Sequence, residues 1–349
     1  MECLGSEERD SFAIVWDACS DMTGYVQMHF TVKQRERLFG SSWNDLPECV
    51  ENGSLIPLLS LQKNARDTDA PVAFLDILEN PIESEALALG RESEDRVRFE
   101  SIIEFPYFLL HTLRVYVANL PECSNTNDIP LDDKKLSDTF RRVMERITEG
   151  KADCRETLAR GFVRCLLRTR FLFDKFIIKR DKNIRNRVSA SEESDGDWSL
   201  QHLEARGAYS GKKAYYFKTP FRNKWEPRKT SVDEPNDRNR MLEPNDRNRM
   251  LEACLRVSYT SPKASRWITT LLIWLSENRY ANLSNLREFE HQIEAIARGA
   301  VRRDFLEPCE REGAYRMGVN TPHIVFNYLH YPLQNAAVRK GSHSEAASL

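Results

Sequence analysis

With 349 residues, 41 % of them apolar and 10 % aromatic, the chain can bury one large core or two to three ordinary ones, which excludes wholesale disorder. Its 51 basic and 53 acidic residues leave a formal charge of −2, so any attraction to nucleic acid or to a membrane must be local. The eight cysteines show no CxxC spacing, which argues against a zinc ribbon or a thioredoxin-like centre. The acidic start, MECLGSEERD, lacks the apolar run of a signal peptide, and the longest apolar run, 267–275, is too short to span a bilayer. These features predict a cytoplasmic protein with reduced thiols and no membrane contact.

Residues 12–30 open with an apolar-rich helix in which Asp17 and Asp21 lie one turn apart. Such a pair suits metal binding or acid–base work, and equally suits a solvated helix face. Prolines and a glycine over 47–57 read as loop, and a short helix over 72–79 ends at Asn80-Pro81. Residues 95–118 form the next strong element. Pro106 is expected to kink or divide it, and the part after Pro106 is apolar nearly all round, which buries His111 and Arg114. A polar loop over 121–133 precedes an amphipathic helix over 136–148, stopped at Gly150, and Asp153 is placed to cap the following helix.

The stretch 154–187 predicts a helix of seven or more turns, free of proline, with eleven Lys and Arg against three acids. Arg160, Arg164, Arg168, Lys175 and Lys179 recur near helical spacing, while Phe162, Val163, Leu166, Leu167, Phe173 and Phe176 fill the other faces. One reading is a positive face for the phosphates of DNA or RNA. The other is a solvated face whose arginine stems cover apolar neighbours while their heads pair with acids of the same chain.

Composition changes sharply from 188 to 233, first acidic and Ser-rich, then basic and aromatic with Tyr215, Tyr216, Phe217, Phe221 and Trp225 between cations. A long loop or linker is expected there. Its basic half, 212–229, has the composition of a nucleic-acid stacking platform, and also of a short strand pair pinned to a core by its aromatics. The nonapeptide EPNDRNRML then occurs twice in succession, at 234–242 and 243–251. Two copies do not make a solenoid, and Pro244 opposes a continuous helix through both, so one copy is expected to start the next helix and the other to form loop. Helices follow over 249–257, 265–278 and 285–300, Asn320-Thr321-Pro322 marks another helix start, and the tail after Pro332 is expected to be disordered.

The resulting fold class is mainly α, a multi-helix, bundle-like assembly with a long irregular region. It divides as 1–120, 121–187 with the basic helix, 188–246 as loop or linker with the duplication, 247–334, and a tail over 335–349. No HExxH, GxSxG or GxGxxG motif occurs, and Gly207–Gly211 with its two lysines has too few residues between the glycines for a phosphate loop. His323 and His330, seven residues apart, would offer a metal only two ligands. An active site assembled from Asp17, Asp21, His111 and Asp174 across helices is the remaining enzymatic reading. No metal or cofactor site is expected.

Six segments carry a family resemblance. They are VWDACSDMTGYVQMHF with RLFGSSW (15–43), SIIEFPYFLLHTLRVYV (101–117), PLDDKKLSDTF (130–140), FVRCLLRTRFLFDKFIIKR (162–180), RNRMLEACLRVSYTSPKASRWITTLLIWL (247–275) and NTPHIVFNYLHY (320–331). In this order they resemble the later portion of bacterial GmrSD-type proteins, built on domain of unknown function 262. The resemblance implies a modification-dependent restriction system for phage defence. In such proteins a ParB-like domain hydrolyses nucleotide with magnesium and a His-Asn-His domain cuts DNA. This chain departs from the pattern at both ends: it contains no Gly-Gln dipeptide of the nucleotide motif, and after 331 it runs into LQNAAVRKGSHSEAASL rather than the motif that opens the nuclease. No catalytic residue of the family carries over. The resemblance thus implies the helical part of a GmrSD-like protein without its catalytic modules, working with DNA or with a separately encoded nucleotide-binding or nuclease chain. The alternative is a stand-alone DNA- or RNA-binding module.

Overall fold

The basic stretch does form a helix, and the N-terminal part of the chain packs around it. The computed structural model describes residues 6–47, 92–120, 126–148, 154–182, 197–207, 213–221, 244–277, 286–312 and 317–333. They are mainly helical, with small antiparallel sheets, and fall into two compact units, Met1–Lys218 and Thr219–Leu349.

Among the described residues of the first unit, the helices include α1 (Ser6–Ser20), α2 (Val32–Phe39), α3 (Phe105–Ala118), α4 (Leu136–Thr148) and α5 (Cys154–Phe176), and residues 92–98 are helical too. Helix α5 packs against α1, α3 and α4. The reason lies in residue spacing. Phe12, Val15 and Cys19 make one buried face of α1, α3 buries every residue from Phe108 to Val117, and α5 meets them with Phe162, Leu166, Phe173 and Phe176. Phe173 sets its ring edge-on to Phe108 at 5.4 Å, and Phe162 does the same with Tyr116 at 5.8 Å. Close approach of α3 and α5 needs Gly161, where a Cβ would stand 2.8 Å from the Tyr116 hydroxyl. Pro106 does divide the 95–118 element, but as the first-turn proline of α3 rather than as a kink within a helix.

Two expectations need correction. The basic helix ends at Phe176, not near 187, because the chain turns through Ile177 and Ile178 into strand β2 (Lys179–Asp181). There β2 pairs antiparallel with β1 (Phe99–Glu100) and β3 (Asp197–Ser199), and β-branched residues suit that extended entry. The region 188–246, expected as loop or linker, holds β3 and an antiparallel pair, β4 (His202–Gly207) and β5 (Lys213–Lys218). The strand-pair reading of the aromatic stretch therefore holds for 213–218. Phe217 of β5 lies 4.8 Å from the Phe99 ring and 5.5 Å from Tyr25.

In the second unit, α6 (Pro244–Ser258) and α7 (Arg266–Glu277) pack on α8 (Leu286–Val301). Phe289, Ile293, Ala297 and Ala300 form the buried stripe of α8, at the spacing that predicts an amphipathic helix. A π-helical turn, Arg302–Leu306, joins α8 to α9 (Glu307–Glu312), and residues 323–333 are helical with Ile324 and Tyr331 buried. The second nonapeptide copy supplies the first turns of α6, burying Asn245, Asn248 and Leu251. The first copy, the 72–79 helix and the tail lie outside the described residues. Removing either copy yields the same polypeptide, and α6 keeps its own start. Deletion of 234–242 should leave helical circular dichroism and the urea midpoint unchanged, to within roughly 0.5 kcal/mol.

Candidate functional site

The C-terminal half of α5 and the start of β2 carry three ionisable side chains into the interior. Arg170 and Asp174 are 0 % and 1 % exposed, and Lys179, just beyond the helix, is 1 % exposed. A buried charge is costly unless it is paired, and each of these is paired, although Arg170 Nε and Nη1 make no hydrogen bond among the described residues. Asp174 Oδ1 lies 2.6 Å from Lys179 Nζ and 3.0 Å from Arg170 Nη1, while its Oδ2 accepts from the backbone N–H of Val26 at 2.6 Å. Arg170 Nη2 donates to the carbonyl of Asp21 at 3.0 Å. One carboxylate thus ties α5 to β2 and to the segment after α1. Burial pushes the Lys179 amine down to about 8, against the opposing pull of Asp174.

A second network begins at Lys175, 4 % exposed, whose Nζ donates to Asn44 Oδ1 at 2.6 Å. Asn44 Nδ2 lies 3.3 Å from His202 Nε2 on β4, and Glu204, 3.8 Å from that ring, accepts from Lys218 of β5 at 2.9 Å. Burial lowers Lys175 to about 7, with Asp45 and Glu204 holding it up, and burial with the Lys175 charge lowers His202 to about 3. The loop that presents Asn44 is strained. Trp43, 2 % exposed, has φ 56, a left-handed conformation costly for a bulky side chain. It is held by Gln27, which donates to the Trp43 carbonyl at 3.1 Å, by Ser42, whose carbonyl accepts from Ala205 N–H at 2.8 Å, and by the Arg35 guanidinium over the indole. Gly40 (φ 72) opens the turn, where a Cβ would collide with the Asp45 carboxylate at 1.8 Å.

The five cations expected on one face therefore separate. Lys175 and Lys179 are buried in these networks and cannot reach a phosphate on the surface. Arg160 forks onto Glu8, at 2.5 and 2.9 Å, and also bonds Glu156. Arg168 donates to the Pro47 carbonyl at 3.3 Å, and the Arg160 hydrogen bond, helped by the charges of Arg160 and Arg164, holds the Glu8 carboxyl below its ordinary value. Arg160, Arg164 and Arg168 remain partly exposed.

The residues of the cross-helix enzymatic reading are not brought together as free groups. Asp174 is enclosed by cations, and Asp21 Oδ1 accepts from both the N–H and hydroxyl of Thr23. His111 is fully buried, which lowers it to about 3. Among the described residues no group of three His, Cys, Asp or Glu could hold a metal, and no helix is long and apolar enough to cross a membrane. Trp43, Asn44 and His202 escape sequence reasoning. A left-handed tryptophan has no local signature, and Asn44 meets His202 across 158 residues of chain. Comparison with protein-family models, with curated proteins and with solved structures finds no match.

Replacing Asp174 by alanine strands Arg170 and Lys179 without their counter-ion, and should cost about 3–5 kcal/mol in urea denaturation. The buried imidazoles set the acid behaviour. His111 and His202 bind a proton near 6.5 when unfolded but only near 3 when folded, so the unfolded state gains protons first as pH falls. The contribution of these imidazoles should be intact above pH 6.5 and decline steadily toward pH 3, and His202→Gln should flatten that decline in urea midpoints taken across the range.

Proposed function

We propose that this chain is the non-catalytic helical part of a GmrSD-like restriction protein, acting beside nucleotide-hydrolysing and nuclease modules rather than performing their chemistry. The observation that supports it most is where the six family-like segments fall. They supply the end of α1 to the start of the strained loop, α3, the first turn of α4, most of α5 with β2, most of α6 through α7, and most of the 323–333 helix, which carry much of the core of both units. A resemblance concentrated in the buried frame is what a shared scaffold requires. Consistent with that role, Asp174, Lys179, Lys175 and His202 answer one another inside the fold. A cytoplasmic site of action and a separately encoded catalytic partner belong to the same reading.

A stand-alone nucleic-acid-binding module is the second reading, supported by the partial exposure of Arg160, Arg164 and Arg168 on one helix. The two separate in solution. Under the scaffold reading the purified chain, given nucleoside triphosphates, magnesium and duplex DNA, releases no phosphate and makes no cuts; turnover by the wild-type chain would overturn it. Under the second reading DNA affinity falls steeply with salt, and Arg160→Ala, Arg164→Ala and Arg168→Ala together reduce the log–log slope by up to about 2.7.

A further inference from the structure

The carboxamide of Asn44 stands between an amine and an imidazole, and an amide is not symmetric: one end only accepts, the other only donates. With Oδ1 receiving Lys175 Nζ at 2.6 Å, Nδ2 is left facing His202 Nε2 at 3.3 Å. Nδ2 can donate to that ring nitrogen only if Nε2 carries no proton, which places the imidazole proton on Nδ1. A proton on Nε2 would instead require the amide oxygen on the histidine side. The amide NH₂ would then face Lys175, and only an uncharged amine could accept from it.

We propose that Asn44 is a proton-exclusion switch, whose carboxamide turns to favour a proton on Lys175 or on His202 Nε2 and opposes both at once. Asp45 from the loop and Glu204 from β4 favour charge on Lys175. Burial, Lys175 and the Lys218 side chain oppose charge on His202, while Glu204 and the Lys218 backbone favour it, and Asp174, next to Lys175 in α5, is engaged with Arg170 and Lys179. The strained backbone at Trp43 keeps Asn44 in place while its side chain turns. The locked state has Lys175 charged and the oxygen toward it, and holds between about pH 3, where His202 becomes an imidazolium, and about pH 7. Above that the amine loses its proton, either amide orientation is permitted, and the tie between α5, the 40–47 loop and the β4–β5 hairpin loosens. No activity of the chain is needed for this device, so it stands or falls apart from the scaffold reading.

The decisive measurement is the tautomer of His202 in the full-length protein, by nitrogen-15 NMR of labelled histidine at pH 6, with the signal assigned by its loss in His202→Gln. An unprotonated Nε2 with the proton on Nδ1 is expected; a protonated Nε2 overturns the switch. A second arm uses Asn44→Asp, whose carboxylate accepts from both neighbours and so removes the exclusion. His202 should then titrate at least about one pH unit higher, and an unmoved titration in the folded variant overturns the proposal. If that variant does not fold, the wild-type tautomer decides alone.

Discussion

The interior of the first unit depends on one carboxylate. Asp174 accepts from Lys179 and the Val26 backbone and pairs with Arg170, so the helix, the strand that follows it and the segment after α1 are fastened at one point. Electrostatics in a low-dielectric interior make this arrangement nearly all-or-none: complete, its charges compensate one another, and without any one member the others become a penalty. It also explains why the helix stops at Phe176. Placing Lys179 beside Asp174 while β2 pairs with β1 and β3 requires an extended chain.

The second network shows backbone strain put to use. Trp43 adopts φ 56 under packing and three tethers, and the consequence is that Asn44 bridges α5 and the β4–β5 hairpin. A relaxed turn would break the hydrogen bond between Lys175 and Asn44, so strain at one residue supports the solvation of a buried charge at another. The hairpin in turn closes over β1 with Phe217 against Phe99 and Tyr25. Its basic and aromatic composition therefore has a structural use independent of nucleic acid.

In the second unit the forces are plainer. Apolar stripes on α6, α7 and α8 bury one another, and the second copy of the nonapeptide begins α6. A nine-residue repeat shifts a helix by two and a half turns, so both copies could not present Leu242 and Leu251 to the same core in one helix. Pro244 at the helix start resolves the conflict, since a first-turn proline gives up no intrahelical hydrogen bond.

Local pattern made most helices legible. Apolar spacing marks α1, α3, α4, α7 and α8, and Pro106 marks where α3 begins, because a helix reports its buried face every three to four residues and its ends through caps and prolines. Charge spacing was legible too, but its meaning was not. The same periodicity describes an arginine facing solvent and a lysine held inside by a carboxylate. Arg160 pairs with Glu8 across 152 residues, and Lys179 pairs with Asp174, five residues back but itself anchored to Val26 across 148 residues. The burial of Lys175, the left-handed Trp43 and the meeting of Asn44 with His202 arise only when α5, the 40–47 loop and β4 are packed together. Hydrophobic periodicity is a property of neighbours along the chain, whereas compensation of a buried charge is a property of neighbours in space.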